Sequence, residues 1–131
     1  MIRCVRIWTG PDGDSLFEEG TITLSEGERG DFIGKPVAAA RISFRETGSG
    51  GAFAWHQDPV PRFVLTLSGT LEFETKSGAT FVIRPGGVLL AQDNSGSGHR
   101  WRLLGDDPWR RAYVVYEAGA DLQFTPSPKQ A

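Results

Sequence analysis

The stretch over residues 62–99 decides the fold, and it reads RFVLTLSGTLEFETKSGATFVIRPGGVLLAQDNSGSGH. Short runs rich in Val, Ile, Leu, Phe and Thr alternate here with clusters of Gly, Pro and Ser. Runs of β-branched and aromatic residues that are bounded by turn residues are typical of strands. We therefore predict strands separated by turns at residues 68–70, 76–78 and 84–87, and the first of these turns should close a hairpin.

The same pattern continues outward from this stretch in both directions. No segment carries a long 3.6-residue period, and residues 16–19 form one helical turn at most. Many short strands at regular spacing favour an all-β, antiparallel sandwich or barrel over a helical or doubly wound fold. The predicted strands cover residues 3–8, 21–24, 37–44, 52–56, 62–67, 71–74, 80–83, 88–91, 100–104 and 111–116.

The composition limits the size and the class of the protein. The chain has 131 residues, of which 39% are hydrophobic, and this is enough for one packed core. We predict a single domain over residues 1–124 and a loose C-terminal tail over residues 125–131, which holds prolines but no apolar cluster. The net charge of -2 argues against nucleic acid as a partner, because phosphate binding needs clustered positive charge.

The chain lacks the sequence features of membrane and secreted proteins. No apolar run is long enough to span a bilayer, and residues 1–10 carry no secretory signal pattern. The one cysteine, Cys4, cannot form an internal disulfide, and we interpret it as a small buried hydrophobe. These features predict a cytoplasmic protein without a membrane partner.

The chain holds two histidines, His56 and His99, each at the boundary between a predicted strand and a Gly/Pro-rich loop. Because strand side chains alternate in direction, His56 and Asp58 should point the same way if the strand continues through Gln57. By the same rule, His99 and Trp101 should share one face of the last-but-one strand.

The segment from Gly50 to Gly69 resembles the first sequence motif of the cupin family. That motif runs from a Gly over five residues to His-x-His, and then to a Glu and a closing Gly. His56 matches the first His at this spacing. Asp58 stands at the position of the second His, and Arg62 stands at the position of the Glu.

Residues 78–99 are similar to the second cupin motif. Gly96 and His99 reproduce its Gly-x-x-His step, while Asn94 stands where Pro is usual and Leu103 stands at the position of the closing Asn. The two motifs occur in the family's order, and both histidines of the chain fall on motif positions. The resemblance implies a small single-domain cupin of the cupin-2 type, which is an antiparallel double-stranded β-helix, or jelly-roll barrel. It also implies that this fold brings His56 and His99 into one central pocket.

Cupins hold a divalent transition metal with three His and one Glu. The resemblance therefore implies His56 and His99 as metal ligands, with Asp58 completing a two-histidine, one-carboxylate set that suits Fe, Mn, Ni or Zn. Arg62 opposes this interpretation, because a permanent positive charge repels a dication where little water screens it. In the alternative, Arg62 pairs with Asp58 and uses up the carboxylate.

Each candidate residue also has a second interpretation. His56 and His99 could act as general acid or base without a metal, or could be neutral pocket or loop residues. Asp58 could begin the turn at the following proline. Arg62 could bind an anionic ligand or pair with an acid, and Trp101 could form a ligand wall or part of the core.

Three hypotheses for function follow from these residues. The first is a small cupin enzyme, and isomerase, lyase and dioxygenase activities all occur on that fold. The second is a non-catalytic, metal-free module that binds a small anionic molecule. The third is a structural role in a homodimer, in which the N-terminal region up to Pro36 crosses between subunits.

Overall fold

The computed structural model describes residues 1–128, and within this range the chain is all-β, as the strand pattern predicts. Among these residues, no helix is long and apolar enough to span a bilayer. The strands are β1 Arg3–Thr9, β2 Ser15–Ile22, β3 Ser25–Glu26, β4 Phe32–Ile33, β5 Ala39–Thr47, β6 Ala52–His56, β7 Arg62–Ser68, β8 Thr70–Thr75, β9 Thr80–Ile83, β10 Val88–Gln92, β11 His99–Leu104, β12 Trp109–Tyr116 and β13 Phe124–Pro126.

The strands form two larger sheets and one two-stranded sheet. The seven-stranded sheet has the order β13-β2-β1-β10-β7-β12-β5, the four-stranded sheet has the order β6-β11-β8-β9, and β3 pairs with β4. The pairs are antiparallel except that of β1 with β10, which is parallel. The large sheet is therefore mixed and not purely antiparallel, because the long connection from β1 to β10 permits parallel pairing.

The predicted hairpin between β7 and β8 is wrong, because these strands belong to different sheets. β7 pairs with β10 and β12, whereas β8 pairs with β11 and β9. Gly69 between them has a φ of 88°, which only glycine adopts readily. A Cβ at this position would also lie 2.9 Å from the carbonyl oxygen of Pro108, so the chain crosses between the sheets through a turn that needs glycine.

Two predictions near the chain ends are also wrong. Residues 16–19, expected as a helical turn at most, belong to β2 and pair with β1. In the predicted loose tail, Thr125 and Pro126 belong to β13, which pairs with β2 where Gly20 leaves room for the ring of Phe124. Residues 129–131 of that tail lie outside the described residues.

One hydrophobic core draws side chains from both larger sheets, which therefore pack face to face. Its buried members include Val5, Ile7, Val64, Leu71, Phe73, Phe81, Ile83, Leu89, Trp101, Leu103, Trp109 and Tyr113. A second cluster around Phe63, Val88 and Leu90 lies on the other face of the seven-stranded sheet. The apolar run of β10 is thus buried on both faces, as is typical of a central strand.

Cys4 belongs to this second cluster and is fully buried. Burial raises the pKa of its thiol to about 12, and the nearby charge of Arg3 lowers that value only in part. A thiol with so high a pKa is a poor nucleophile. The structure therefore agrees with the interpretation of Cys4 as a small buried hydrophobe.

Candidate functional site

His56 and His99 lie side by side on neighbouring strands. His56 ends β6, His99 begins β11, and the two are direct partners in the antiparallel pairing of these strands. Residues directly opposite each other in such a pair have side chains within contact distance. The centroids of the two imidazole rings are 4.7 Å apart, at an interplanar angle of 63°. The fold therefore brings the two histidines of the chain into one site.

The loop over residues 94–98 holds these two strand ends together. Gly98 has a φ of 68°, and a Cβ there would overlap the carbonyl oxygen of His56. The amide Nδ2 of Asn94 donates a hydrogen bond of 2.9 Å to the backbone carbonyl of Asp58. The loop thus fixes the end of β6, and the residues just after it, against the start of β11.

This loop rests in turn on the connection between β1 and β2. The backbone N–H of Ser97 donates to the carbonyl of Gly13 at 2.8 Å, and its hydroxyl donates to Asp14 Oδ1 at 2.8 Å. The hydroxyl of Ser15 donates to Asp93 Oδ2, also at 2.8 Å. The turn between β1 and β2 therefore supports the loop, and the first residue of β2 supports the buried Asp93 carboxylate.

The hydrogen bonds of the two imidazoles leave the same nitrogen free on each ring. His56 Nδ1 lies 2.9 Å from the carbonyl oxygen of Ala54, and His99 Nδ1 lies 2.6 Å from Asp93 Oδ2. Both oxygens can only accept, so Nδ1 carries the proton in each case. Each neutral ring then presents the lone pair of Nε2. A carboxylate behind a histidine is also the usual support of a metal-binding imidazole.

The pKa values of the two histidines move in opposite directions. Burial lowers the pKa of His56, and the positive charge that His99 can carry lowers it further. Burial also lowers the pKa of His99, but the hydrogen bond and the charge of Asp93, together with the charge of Asp58, outweigh it and raise the pKa. His56 is thus neutral at lower pH than His99.

Asp58 lies beside the two rings and is paired with Arg62. Arg62 Nη2 donates to Asp58 Oδ1 at 3.2 Å, so the ion pair weighed from the sequence is present. The second carboxylate oxygen, Oδ2, is buried and has no hydrogen-bond partner among the described residues. Burial raises the pKa of Asp58, against the lowering effects of His99 and Arg62. The ion pair therefore occupies only one of the two oxygens.

The three side chains form a cluster that could hold a metal ion. One ligand atom from each of His56, Asp58 and His99 lies within 4.8 Å of the others. Two imidazole nitrogens and one carboxylate oxygen are a donor set for divalent iron and related metals. The buried, unpartnered Asp58 Oδ2 fits this interpretation, because a buried oxygen without a partner is otherwise costly.

A cavity of about 420 Å³ lies next to this cluster, within the size range of small-molecule sites. Its walls combine the cluster with aromatic side chains and three arginines. Trp101 is 8% exposed and belongs to the core cluster, as one of its two interpretations expects, and it also lines the cavity, so the ligand wall stays a prediction. Arg62 also lines the cavity. The aromatic and cationic lining residues include Phe53, Phe73, Trp101, Trp109, Tyr113, Arg45, Arg62 and Arg111.

Sequence reasoning missed two residues of this site. Asp93 is fully buried behind His99, and Arg111 is 3% exposed in the cavity wall. Asp93 follows β10 directly, six positions before His99, and a polar residue after a buried run is a weak signal for it. Arg111 was expected only as the first residue of a strand, and no local signal in the sequence marks it as buried.

A second, larger groove of about 620 Å³ lies against the four-stranded sheet. The charged side chains that line it pair with one another across β8 and β11, as Arg100 with Glu74 and Arg102 with Glu72. Neither histidine lines this groove. The candidate site is therefore the smaller cavity, where titratable groups with shifted pKa values converge.

Comparison with known proteins adds little to this geometry. No family model matches the chain, and no curated protein matches it. Among solved structures, it is similar to the crystal structure of protein NMB1881 from Neisseria meningitidis, with 15% sequence identity and a TM-score of 0.44. That similarity covers 71% of this chain and 88% of the other. A similarity of this extent carries no conclusion about fold or function.

Proposed function

We propose that this protein is a small cupin that binds a small organic anion in its cavity, at a divalent transition metal held by His56, Asp58 and His99. The observation that carries the proposal is the convergence of three potential ligand atoms within 4.8 Å of one another. The cupin-like motifs support it, because both histidines stand on positions that are metal ligands in that family. In the proposed fold, the two larger sheets are the halves of a jelly-roll barrel.

Each residue of the cluster has one task in this proposal. His56 and His99 donate Nε2, since their Nδ1 atoms are held by Ala54 and Asp93. Asp58 donates Oδ2, while Arg62 holds Oδ1. Three protein ligands leave coordination positions open for a ligand oxygen. When bound, the metal would act as a Lewis acid that polarises a carbonyl or hydroxyl oxygen of the ligand.

Metal analysis tests this proposal directly. Protein purified without added metal is dialysed against a chelator, freed of it, and titrated with Fe(II), Mn(II), Ni(II) and Zn(II). We expect about one metal per chain for at least one of these ions, and a loss of binding of about tenfold or more in Asp58→Asn. Asp106→Asn is the control, because Asp106 is exposed and outside the cluster. Uptake below about a tenth of a metal per chain would refute the metal site.

A metal-free binding module is the second candidate function. The ion pair of Arg62 with Asp58 favours it, because a guanidinium bound to the carboxylate competes with a dication for the same group. In this form, His56 and His99 contact the ligand directly as hydrogen-bond partners or as general acid and base. Ligand binding without metal uptake would support this candidate over the first.

We also propose that the protein forms a homodimer. Strand β5 is an edge of the seven-stranded sheet, and eight of its nine residues are exposed, Ile42 and Phe44 among them. The small β3–β4 sheet, in the region expected to cross between subunits, exposes Phe32 and Ile33. An open edge strand with exposed apolar side chains is a surface for pairing with another chain.

A further inference from the structure

Arg111 is a buried cation without an acidic partner among the described residues. It is 3% exposed, and its guanidinium donates to Tyr113 Oη at 3.0 Å, to Thr47 Oγ1 at 2.8 Å and to the Trp109 carbonyl at 3.2 Å. None of the ion pairs among residues 1–128 includes Arg111. A buried charge that only neutral groups contact is costly to the fold.

This lack of a counter-charge is not caused by a shortage of acids. The chain has 16 acidic residues against 14 basic ones. The neighbouring Arg110 on the outer face of β12 is paired with Glu46 at 2.7 Å, and Arg100 is paired with Glu74. The exposed arginines have partners that bring them little stability, while the buried one has none. Acidic side chains thus pair with arginines at the surface, whereas the described part of the cavity wall places none of them against Arg111.

Two further arginines surround the same aromatic ring. The guanidinium carbons lie 4.0 Å from the Tyr113 ring centroid for Arg62, 5.4 Å for Arg45 and 5.5 Å for Arg111. Arg45 and Arg111 are direct cross-strand partners of β5 and β12, although like charges in such positions repel. Arg62 Nε is buried without a hydrogen-bond partner in the described chain. Strands β5, β7 and β12 thus each place one guanidinium group near the Tyr113 ring.

The charges that line the cavity do not balance. Its lining includes three arginines and one carboxylate, Asp58, so that with both imidazoles neutral the arginines exceed the carboxylate by two positive charges. Burial lowers the pKa of Arg111, its contact with Tyr113 opposes this in part, and the charges of Arg45 and Arg62 lower the pKa further. A bound anion would supply the missing negative charge.

We infer that Arg45, Arg62 and Arg111 form a subsite for the carboxylate of a small organic acid, on the cavity wall beside the His56–Asp58–His99 cluster. The inference rests on the proposed function, because it names the ligand class of the same cavity. A carboxylate fits best since its two coplanar oxygens match the fork of a guanidinium. The aromatic walls at Trp101 and Trp109 accept an apolar or aromatic body on that acid.

Titration of the metal-free protein with benzoate and with benzamide tests the subsite apart from the metal. The two probes have nearly the same shape, and only benzoate is charged. We expect benzoate to bind at least about tenfold more tightly than benzamide, since hydrogen bonds to charged groups are the stronger ones. Inorganic phosphate serves as a third probe and should bind more weakly than benzoate.

Arg111→Gln should weaken benzoate binding by about tenfold or more, because it removes the buried charge. Arg110→Gln is its matched control on the adjacent position of β12, where the side chain points to solvent, and it should leave binding unchanged. Thermal unfolding shows whether each variant is folded.

If Arg111→Gln fails to fold, Arg45→Gln is tested in its place. Arg45 lies at the exposed rim of the cavity, and a severalfold loss of benzoate affinity is expected. Its control is Arg41→Gln on the same strand, which does not line the cavity.

Equal binding of benzoate and benzamide would overturn the inference, and so would benzoate binding that survives in both folded arginine variants. Tighter binding of phosphate than of benzoate, with the same dependence on the arginines, would overturn the carboxylate assignment. Metal uptake is measured separately on the same variants. If the protein takes up metal but does not bind benzoate, the subsite alone is refuted. If it binds benzoate but takes up no metal, the metal site alone is refuted.

Discussion

Asp93 governs the protonation of His99, although no cupin-like motif position marks it. Both groups are almost completely buried, and their contact of 2.6 Å is the closest polar support of either ring in the site. Burial and the charge of Arg62 lower the pKa of His99, but the hydrogen bond and charge of Asp93, with the charge of Asp58, outweigh them and raise it above the unfolded value of 6.5. The protonated ring is therefore favoured in the folded state over the unfolded state.

The metal-free protein should lose stability as the pH rises above about 6.5. A group whose folded pKa is raised contributes stability that is complete below its unfolded pKa and is lost as the pH passes through the folded pKa. Denaturant unfolding at a series of pH values between about 6 and 9 measures this change, since Cys4 contributes only above its unfolded pKa of 9.0.

The variant Asp93→Asn provides the control for this pH dependence. It removes the charge that raises the pKa of His99, so most of the decline in stability above about 6.5 should disappear. An unchanged slope in this variant would show that another group causes the decline.

The metal affinity of the native protein should have the opposite pH dependence. The metal competes with the proton on Nε2 and should bind more tightly as the pH rises.

The connection from β10 to β11 sets the geometry of the site. Its glycines at 96 and 98 have φ values of 72° and 68°, and a Cβ at either position would overlap a neighbouring carbonyl oxygen. The neighbours are the backbone of Gly13 on one side and of His56 on the other. This short loop therefore packs against both the N-terminal turn and the end of β6, and it has room for no side chain at these points.

Gly98→Ala should displace the end of β6 and separate His56 from His99. The left-handed φ alone costs about 1–2 kcal/mol for a non-glycine residue, and the contact with the His56 carbonyl adds about 1–3 kcal/mol of overpacking. We expect lower thermal stability and a loss of metal affinity of about tenfold or more, as for other residues that position metal ligands.

Gly105→Ala is the matched control for this variant. Gly105 has a φ of 75° but nothing within 4 Å of its Cβ position, so only the cost of the backbone conformation applies. This variant should lose about 1–2 kcal/mol of stability and retain its metal affinity. Equal effects of both substitutions on metal affinity would contradict the role of the close contact at Gly98.

The two larger sheets pack around one core, and the candidate cavity lies where both contribute side chains. β6 supplies His56, β11 supplies His99 and Trp101, and β7 and β12 supply Arg62 and Arg111. The cavity wall is therefore complete only when the two sheets are packed against each other.

Strands β5 and β6 are edge strands of their sheets, and β5 is exposed along almost its whole length.

A homodimer should cover this exposed surface. Light scattering over a wide range of dilution is expected to give twice the chain mass, and Phe44→Asp should shift the mass toward that of the monomer because it places a charge in an apolar contact. Leu16→Asp is the control, since Leu16 is also exposed but lies on β2. A monomer mass for the unchanged protein at all concentrations would refute the dimer.

Local patterns in the chain were sufficient to predict the all-β class and most strand positions. Strands β6 and β9 have the predicted bounds, and the alternation of faces in β11 follows the period of two, with His99 and Trp101 inside and Arg100 and Arg102 outside. This succeeds because turn residues and side-chain alternation act over a few neighbouring positions. The expectation that both histidines share one pocket came from the resemblance to cupins and from no local pattern.

Only the tertiary structure decided which strands pair and which charges meet. The separation of β7 and β8 into two sheets, the pairing of β13 with β2, and the placement of Arg45 opposite Arg111 all depend on contacts between residues far apart in the chain. Such pairings are set by the burial of complete sheet faces and by register, and no local pattern encodes them. The clustered residues His56, Asp58 and His99 could thus be named from the sequence, whereas Asp93 and Arg111 required the packed fold.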